Sequence, residues 1–202
     1  MKNNTLRAMG LVALLALGAA VPARALPVEF NGHYYDIIRA GGINWSFADA
    51  DANASSYLGL LGHLATITTA GEDAFIDSLR AGLGFREVWA GGYQNPITEP
   101  NARAGWTWVN GEGAFPGTTS SNPYANWQST EPNDNYGSGS EQHLGIGLFG
   151  VGGGWNDEGV RGNIGGYVVE YERSGVPEGA AGLAGILAIV GLFAAHRRVK
   201  KT

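Results

Sequence analysis

Hydrophobic positions recur at helical spacing in only two stretches of the chain. The first is residues 46–58, where Asp49 lies three positions after the opening serine, as in a capping box. Its predicted apolar face consists of Phe47, Ala50, Ala54, Tyr57 and Leu58. The second stretch is residues 71–79, with Thr68 or Thr69 as the N-cap and acidic residues in its first turn. The pattern therefore predicts two helices, both in the first half of the chain.

Short β-branched and aromatic segments predict strands in the rest of the chain. These segments are residues 26–38 around the turn signal Asn31-Gly32, 63–67, 87–91, 105–109, 142–148 and 166–171. A long loop, residues 111–141, separates two of them and contains Tyr124, Trp127 and Tyr136, which argues against disorder. The pattern predicts an α+β domain with two helices, short strands and one long loop.

The first 25 residues have the form of a secretory signal peptide. A basic start precedes an uncharged apolar run, and Ala23-Arg24-Ala25 has the small-x-small pattern that a signal peptidase cuts. A membrane anchor is the alternative, but the run is short for a spanning helix. We predict a signal peptide at residues 1–25 and export through the inner membrane.

The other end contains an uncharged apolar run, residues 179–195, followed by a basic tail. The run is long enough to span a bilayer. Together with the preceding Val176-Pro177-Glu178, it resembles the PEP-CTERM sorting signal of Gram-negative bacteria, although Gly179 stands where that motif has a second proline. The resemblance implies removal by an exosortase, and a plain C-terminal anchor is the alternative. Residues 174–202 are predicted as this sorting or transmembrane segment.

The part between the two ends, predicted as one domain of residues 26–173, is strongly acidic. Residues 26–178 retain six arginines and no lysine against all eighteen acidic residues. Such a surface makes a nucleic-acid partner unfavourable and suits a hard cation. The chain has no cysteine. An exported domain without disulfides must be stabilised by packing, by metal binding or by both.

Oxygen-bearing side chains are grouped in and after the long loop. The group consists of Glu131, Asn133, Glu141, Asn156 and Asp157. Calcium takes six to eight oxygen ligands, so the group is sufficient for one site. Zinc and copper fit poorly, because there is no thiolate and the histidines are scattered along the sequence. On spacing alone, Glu-Pro-Asn is equally typical of an ordinary turn.

The order of motifs along the chain resembles a C-type lectin domain. The motifs are His63-Leu64-Ala65-Thr66-Ile67, Trp89-Ala90-Gly91-Gly92, Gly105-Trp106-Thr107-Trp108-Val109, Asn126-Trp127, Glu131-Pro132-Asn133, Trp155-Asn156-Asp157 and Tyr167-Val168-Val169-Glu170-Tyr171-Glu172. The resemblance covers nearly all of residues 28–173. It implies a C-type lectin-like fold with two helices, two small antiparallel sheets and a long calcium-binding loop.

The same resemblance implies residue roles. Glu131, Asn133, Glu141, Asn156 and Asp157 become ligands of both Ca²⁺ and sugar. The Glu-Pro-Asn motif implies mannose, fucose or N-acetylglucosamine before galactose. Pro132 is expected to be cis, Trp127 and Trp155 to support the loop from the core, and Tyr136 to stack on a sugar. Asp134 matches an auxiliary calcium position, but it is left out of the predicted ligands, because no clear match to the other residues of that site is found.

The chain departs from the family in lacking its two disulfides. The matching positions are occupied by Tyr57 or a neighbour, Val169, His143 and Val160. If these residues pack against one another, the core survives and stability depends more on calcium. His143 is then a strand residue rather than a metal ligand.

Two other classes of function remain as alternatives. Adjacent carboxylates such as Asp157-Glu158 could serve acid and base roles, but neighbours on a strand point apart and no nucleophile–base pair is visible, so we predict no enzyme. A calcium-ordered protein-binding or matrix component without sugar affinity is the other alternative. The predicted location is secreted or cell-surface in a Gram-negative bacterium, with membrane contact only through the C-terminal segment.

Overall fold

The computed structural model describes residues 26–147, 152–159 and 161–173. The predicted signal peptide, the predicted C-terminal sorting segment and Val160 lie outside these residues. The helices are α1 (Trp45–Asn53) and α2 (Ala70–Gly82). The strands are β1 (Val28–Phe30), β2 (His33–Arg39), β3 (Ser56–Tyr57), β4 (Leu60–Leu64), β5 (Glu87–Gln94), β6 (Trp106–Trp108), β7 (Ser120–Ser121), β8 (Tyr124–Ala125), β9 (His143–Ile146), β10 (Trp155–Glu158) and β11 (Ile164–Glu172). Within the described residues, no helix is long and apolar enough to cross a bilayer.

Local sequence signals account for the first hairpin and the second helix. Asn31 and Gly32 both have positive φ, 52° and 91°, as a two-residue hairpin turn between β1 and β2 requires. Helix α2 begins after Thr69, whose side chain accepts a hydrogen bond from the Glu72 backbone N–H at 3.2 Å. Both predictions are confirmed, although α2 extends three residues beyond the predicted end.

The predicted end and apolar face of the first helix are wrong. Helix α1 ends at Asn53, and the following residues turn into β3, which pairs with β4. Tyr57 therefore contacts the core from a strand. The helix buries Ala48 and Ala52 while Phe47 is exposed, and its N-cap is Asn44 rather than Ser46. The prediction failed because the apolar residues of α1 and of the following hairpin happen to be spaced as on one face of a single helix.

One connected sheet of nine strands carries the domain. Its order is β1-β2-β11-β5-β9-β10, with β4 added beside β11 and β6 beside β5. Among the pairs of named strands that the structure describes, only β5 and β11 are parallel, and this pair joins the antiparallel strands on either side of it. Strands β7 and β8 form a separate hairpin inside the predicted loop. The α+β class with two helices is confirmed.

Two hydrophobic clusters flank the sheet. One includes Ile76 of α2 together with Trp106, Trp127 and Trp155. The other contains the buried alanines of α1 together with Trp89 and Val169, and Tyr57 packs against this cluster. Two of the positions that match family cysteines thus contribute to the same apolar core, which replaces a covalent link by packing.

Asp73 of α2 joins the first cluster to the region of the long loop. Its carboxylate accepts hydrogen bonds from Trp155 Nε1 at 2.8 Å, Tyr124 Oη at 2.9 Å and Asn126 Nδ2 at 2.6 Å. The Asp73 side chain is 4% exposed and Trp155 is buried, so water cannot readily replace this acceptor for the indole N–H. One helix side chain therefore holds β8, the segment after it and β10 in position.

Replacing Asp73 by alanine is expected to lower the free energy of unfolding by on the order of 3 kcal/mol, because three donors lose one acceptor. Urea denaturation measures the change. Ser78→Ala, on an exposed part of the same helix, is the matched control and should change the free energy by less than about 0.5 kcal/mol. Equal effects of the two substitutions would contradict the role assigned to Asp73.

Candidate functional site

Four of the five predicted ligand residues surround one open cavity. Glu131, Asn133 and Glu141 come from the loop before β9, and Asn156 comes from β10. The cavity has a volume of about 200 Å³ and is also lined by Asn135, Tyr136, Glu158 and Asn163. Side chains distant in sequence therefore converge because β9 and β10 pair, with Asn156 opposite Gly145.

The fifth predicted ligand, Asp157, lies behind the cavity. Its carboxylate accepts hydrogen bonds from the backbone N–H groups of Asn133, at 2.9 Å to each oxygen, and of Asp134, at 2.8 Å. The Glu131–Pro132 peptide bond just before them is cis, the geometry that the resemblance implied. Asp157 thus attaches the loop backbone to β10 at the point where the loop carries the predicted ligand side chains.

Asp134 folds the next part of the loop. With φ of 51°, it reverses the chain, and its carboxylate accepts backbone hydrogen bonds from Gly139 at 2.9 Å and from Ser140 and Glu141 at 3.1 Å. The turn brings Glu141 back beside Glu131. The carboxylate of Asp134 is therefore occupied with the loop itself.

Beneath the cavity, Glu87 of β5 supports Asn156. The Asn156 amide donates to Glu87 Oε1 at 3.0 Å, and both side chains are buried. Glu87 Oε2 is buried without a hydrogen-bond partner among the described residues. No sequence pattern indicated this residue, because a glutamate that opens a strand usually faces solvent.

Several carboxyl groups of the site hold their protons more strongly than usual. Burial, with smaller contributions from neighbouring carboxylates, raises the pKa of Glu141 to about 7. Burial likewise raises the pKa of Glu87 to about 7, although the bond from Asn156 opposes it. The pKa values of Glu131 and Asp157 are raised as well, mainly by burial. Ionising these carboxyl groups in the ion-free cavity is therefore unfavourable, and a bound cation would favour their charged forms.

The donor set fits a calcium ion. Carboxylate and amide oxygens are the ligands that Ca²⁺ prefers, and all predicted ligands offer them. Glu131 Oε2 is buried and accepts no hydrogen bond from any residue that the structure describes. A buried carboxylate oxygen in that state is costly unless a cation or a proton compensates it.

Other residues near the site were assigned only partly from sequence. Tyr136 is 62% exposed and lines the cavity. Trp127 and Trp155 are buried in the core and cannot contact a sugar.

Glu158 lines the cavity but was not predicted to do so. The signal that could have found it is strand alternation, which places Glu158 on the same side of β10 as Asn156.

A second polar cluster lies on β2, β4 and β11. His33 Nδ1 lies 2.6 Å from Glu170 Oε1 and its Nε2 lies 3.7 Å from Glu172 Oε2, while His63 Nε2 lies 3.1 Å from Glu172 Oε1. The expectation that the histidines are scattered is therefore wrong for these two. Burial alone would lower the pKa of His63, but the hydrogen bond to Glu172 and the nearby charges raise it to about 9. The cluster is thus a network of histidine–carboxylate contacts that links three strands.

His143 has a different environment. Its ring stacks on Trp45 at a centroid distance of 4.5 Å and lies edge-on to Trp89. Burial lowers the pKa of His143 to about 4, so the ring is neutral at neutral pH. It fills the core as a strand residue.

Comparison with known proteins gives the fold rather than a sequence family. No family model matches the chain. Halomucin of Haloquadratum walsbyi is 31% identical over 136 residues, which cover 57% of this chain and 1% of halomucin. The chain therefore spans about a hundredth of the length of that relative.

Solved structures are similar over most of the chain. Human lithostathine has a TM-score of 0.54 at 19% identity, covering 79% of this chain and 99% of that one. The C-type lectin domain of murine dendritic cell inhibitory receptor 2, in complex with N-glycan, has a TM-score of 0.51 at 20% identity, covering 75% and 99%. A calcium-independent type II antifreeze protein has a TM-score of 0.50 at 20% identity, covering 75% and 95%. These similarities show that the chain has a C-type lectin-like fold.

Proposed function

We propose that this protein binds carbohydrate through a calcium ion held by Glu131, Asn133, Glu141, Asn156 and Asp157. The observation that carries the proposal is the convergence of the first four of these residues around one cavity whose Glu131 Oε2 is buried without a hydrogen-bond partner in the described part of the chain. Such an oxygen is prepared for a cation.

The fold alone does not decide between calcium-dependent and calcium-independent binding. One similar structure is a lectin domain in complex with N-glycan, and another is named as calcium-independent. The similar proteins thus support a binding domain rather than an enzyme. The ligand of such a domain is a carbohydrate or another protein. The choice of calcium and sugar rests on the residues of the cavity.

Each residue of the site has a distinct task in this proposal. Calcium, when bound, supplies coordination positions for two neighbouring hydroxyl groups of a sugar. The carboxylates of Glu131 and Glu141 accept hydrogen bonds from those hydroxyls, and the amides of Asn133 and Asn156 donate to their oxygens. Glu87 orients the Asn156 amide through the 3.0 Å hydrogen bond, and Asp157 keeps the loop attached to β10.

We assign the site a preference for mannose-type sugars. Glu131 and Asn133 flank Pro132 in the arrangement that the lectin resemblance associates with equatorial 3- and 4-hydroxyl groups. Tyr136, exposed at the edge of the cavity, offers an aromatic face for the apolar side of the ring. Mannose, fucose and N-acetylglucosamine are therefore preferred to galactose.

We further propose that the protein acts outside the cytoplasm of a Gram-negative bacterium. A signal peptidase removes residues 1–25, and residues 174–202 hold the domain at the membrane until an exosortase removes them. The support for this location is the pattern of apolar and basic residues at the two ends.

Chromatography on immobilised mannose tests the proposal. The protein should be retained with millimolar calcium and eluted by a chelator, and free mannose should displace it at concentrations at least about 10-fold below those needed with galactose. Isothermal titration with calcium alone should show one binding event. Calcium binding without retention on any sugar of a glycan array would instead favour a calcium-ordered protein-binding domain.

A further inference from the structure

We infer that the tip of the β3–β4 hairpin, Leu58 with Leu61, rests on the lipid bilayer that the C-terminal apolar run crosses. The inference rests on the proposed membrane attachment and does not depend on the sugar site. It assigns to the folded domain a second binding surface, whose partner is the lipid bilayer rather than a sugar.

The hairpin presents apolar side chains to solvent at its tip. Leu58 is 71% exposed and Leu61 is 59% exposed. Tyr57 and Leu60, their neighbours in the same hairpin, pack against the hydrophobic core. The exposure of the two leucines therefore does not result from a loosely packed hairpin.

The chain leaves the domain beside this tip. Glu172, the last residue of β11, pairs in register with Leu61 of β4. Strand β4 runs antiparallel to β11, so the turn at Leu58 and Gly59 extends past the end of β11 in the direction in which the chain departs.

The distance to the apolar run is short. Only residues 174–178 separate Arg173 from the run that begins at Gly179. Five residues reach at most about 17 Å when fully extended, and the hairpin tip already covers part of that distance. When the run spans a bilayer, the tip therefore lies at or near the membrane surface.

A comparison within the chain supports a selected role for Leu58. The β1–β2 turn has Asn31 and Gly32 with φ of 52° and 91°, and the β3–β4 turn has Leu58 and Gly59 with φ of 52° and 81°. Asparagine tolerates positive φ, whereas leucine adopts it at a conformational cost. An exposed leucine at this position thus carries a cost in the isolated domain, which burial in the lipid interface would offset.

The absence of cysteine makes a direct test possible. The full chain carrying Leu58→Cys, with a nitroxide label, is reconstituted into phosphatidylcholine vesicles and first shown to float with them. Collision rates with oxygen, which partitions into lipid, and with a water-soluble nickel complex then report where the label lies. The reference is the same labelled domain after a protease has released it from the vesicles into buffer without lipid or detergent. We expect the ratio of oxygen to nickel collision rates to be several-fold higher on the vesicles than in this reference.

Leu83→Cys is the matched control. Leu83 is 46% exposed, and its carbonyl accepts a hydrogen bond from Arg39, which pairs with Gly166 near the start of β11. It therefore lies at the opposite end of that strand, and its label should remain accessible to nickel. Equal nickel access at both labels in floating vesicles would overturn the inference. Failure of the chain to float would overturn the membrane attachment as well, while leaving the sugar site untouched.

Leu58→Asn separates membrane contact from folding. In the full chain, this substitution should keep or raise the thermal midpoint, because asparagine suits the turn, while a label at Leu61→Cys in the same chain becomes several-fold more accessible to nickel. Unchanged nickel access at that label would contradict a contribution of Leu58 to membrane contact.

Discussion

Replacing Asn133 by alanine is expected to weaken calcium-dependent sugar binding by on the order of 100-fold or more and to leave the fold intact. The Asn133 side chain is exposed at the cavity, and its backbone N–H, which binds Asp157, is unchanged by the substitution. Retention on mannose and isothermal titration measure the loss, and the thermal midpoint without calcium measures the fold.

Asn135→Ala is the matched control for this variant. Asn135 lines the same cavity without belonging to the predicted ligands, and it holds Glu141 through its backbone N–H rather than its side chain. It should retain sugar affinity within a few-fold. If Asn133→Ala and Asn135→Ala behave alike, the ligand assignment is wrong.

Asn156→Ala should differ from Asn133→Ala in a measurable way. In the structure, the Asn156 amide is the donor to buried Glu87 Oε1, so the substitution also deprives Glu87 of that bond. We expect loss of sugar binding together with destabilisation by about 1–3 kcal/mol in calcium-free urea denaturation.

Calcium affinity is expected to fall on the order of 100-fold between pH 7.5 and pH 5.5. The pKa of Glu141 is raised to about 7 and that of Glu131 is raised as well, so both carboxyl groups hold protons in the ion-free site at mildly acidic pH. These protons must leave before the oxygens can bind the ion. Titration with calcium at a series of pH values, in buffers of different ionisation enthalpy, measures both the affinity and the protons released.

The same shifts reverse the usual pH dependence of stability in the ion-free protein. A carboxyl group whose pKa rises on folding contributes stability below its unfolded value, about 4.5 for Glu141 and Glu87, and loses that contribution as the pH rises through about 7. Without calcium, the thermal midpoint should therefore decrease from pH 5 to pH 8. Saturating calcium should remove most of this decrease, because the ion takes the place of the protons.

Glu141→Gln is the informative variant for the pH series, with Asp51→Asn on the exposed surface of α1 as its control. The first should release fewer protons on calcium binding, and the second should match the parent. A calcium affinity independent of pH between 5.5 and 7.5 would contradict the charged cavity described above.

The sequence predicted elements whose signals are local. The Asn31-Gly32 turn and the Thr69 cap depend on a few neighbouring residues, and the structure contains both. The end of α1 could not be found in this way, because Tyr57 contacts the core only after β3 pairs with β4. Strand β10 was also missed, since Trp-Asn-Asp-Glu lacks alternating apolar residues, and its pairing with β9 keeps it in place.

The candidate site could be predicted as a set of residues but not as a geometry. Spacing and resemblance indicated oxygen ligands on two segments. They did not indicate that Asp157 would bind the loop backbone or that Glu87 would lie beneath Asn156. Both contacts join residues more than twenty positions apart, and they arise only when β5, β9 and β10 lie side by side.

The turn closed by Asp134 has a consequence for how this protein could change its ligand during evolution. The Asp134 carboxylate holds Gly139, Ser140 and Glu141 in place through their backbone N–H groups, so the exposed Tyr136 at the outer tip of the segment can be replaced without breaking these hydrogen bonds. Such variation would leave Glu131 and Glu141 in register. A substitution at this position would introduce new aromatic or polar contacts beside an unchanged ion site. Selectivity for the ligand could therefore evolve while ion binding is preserved.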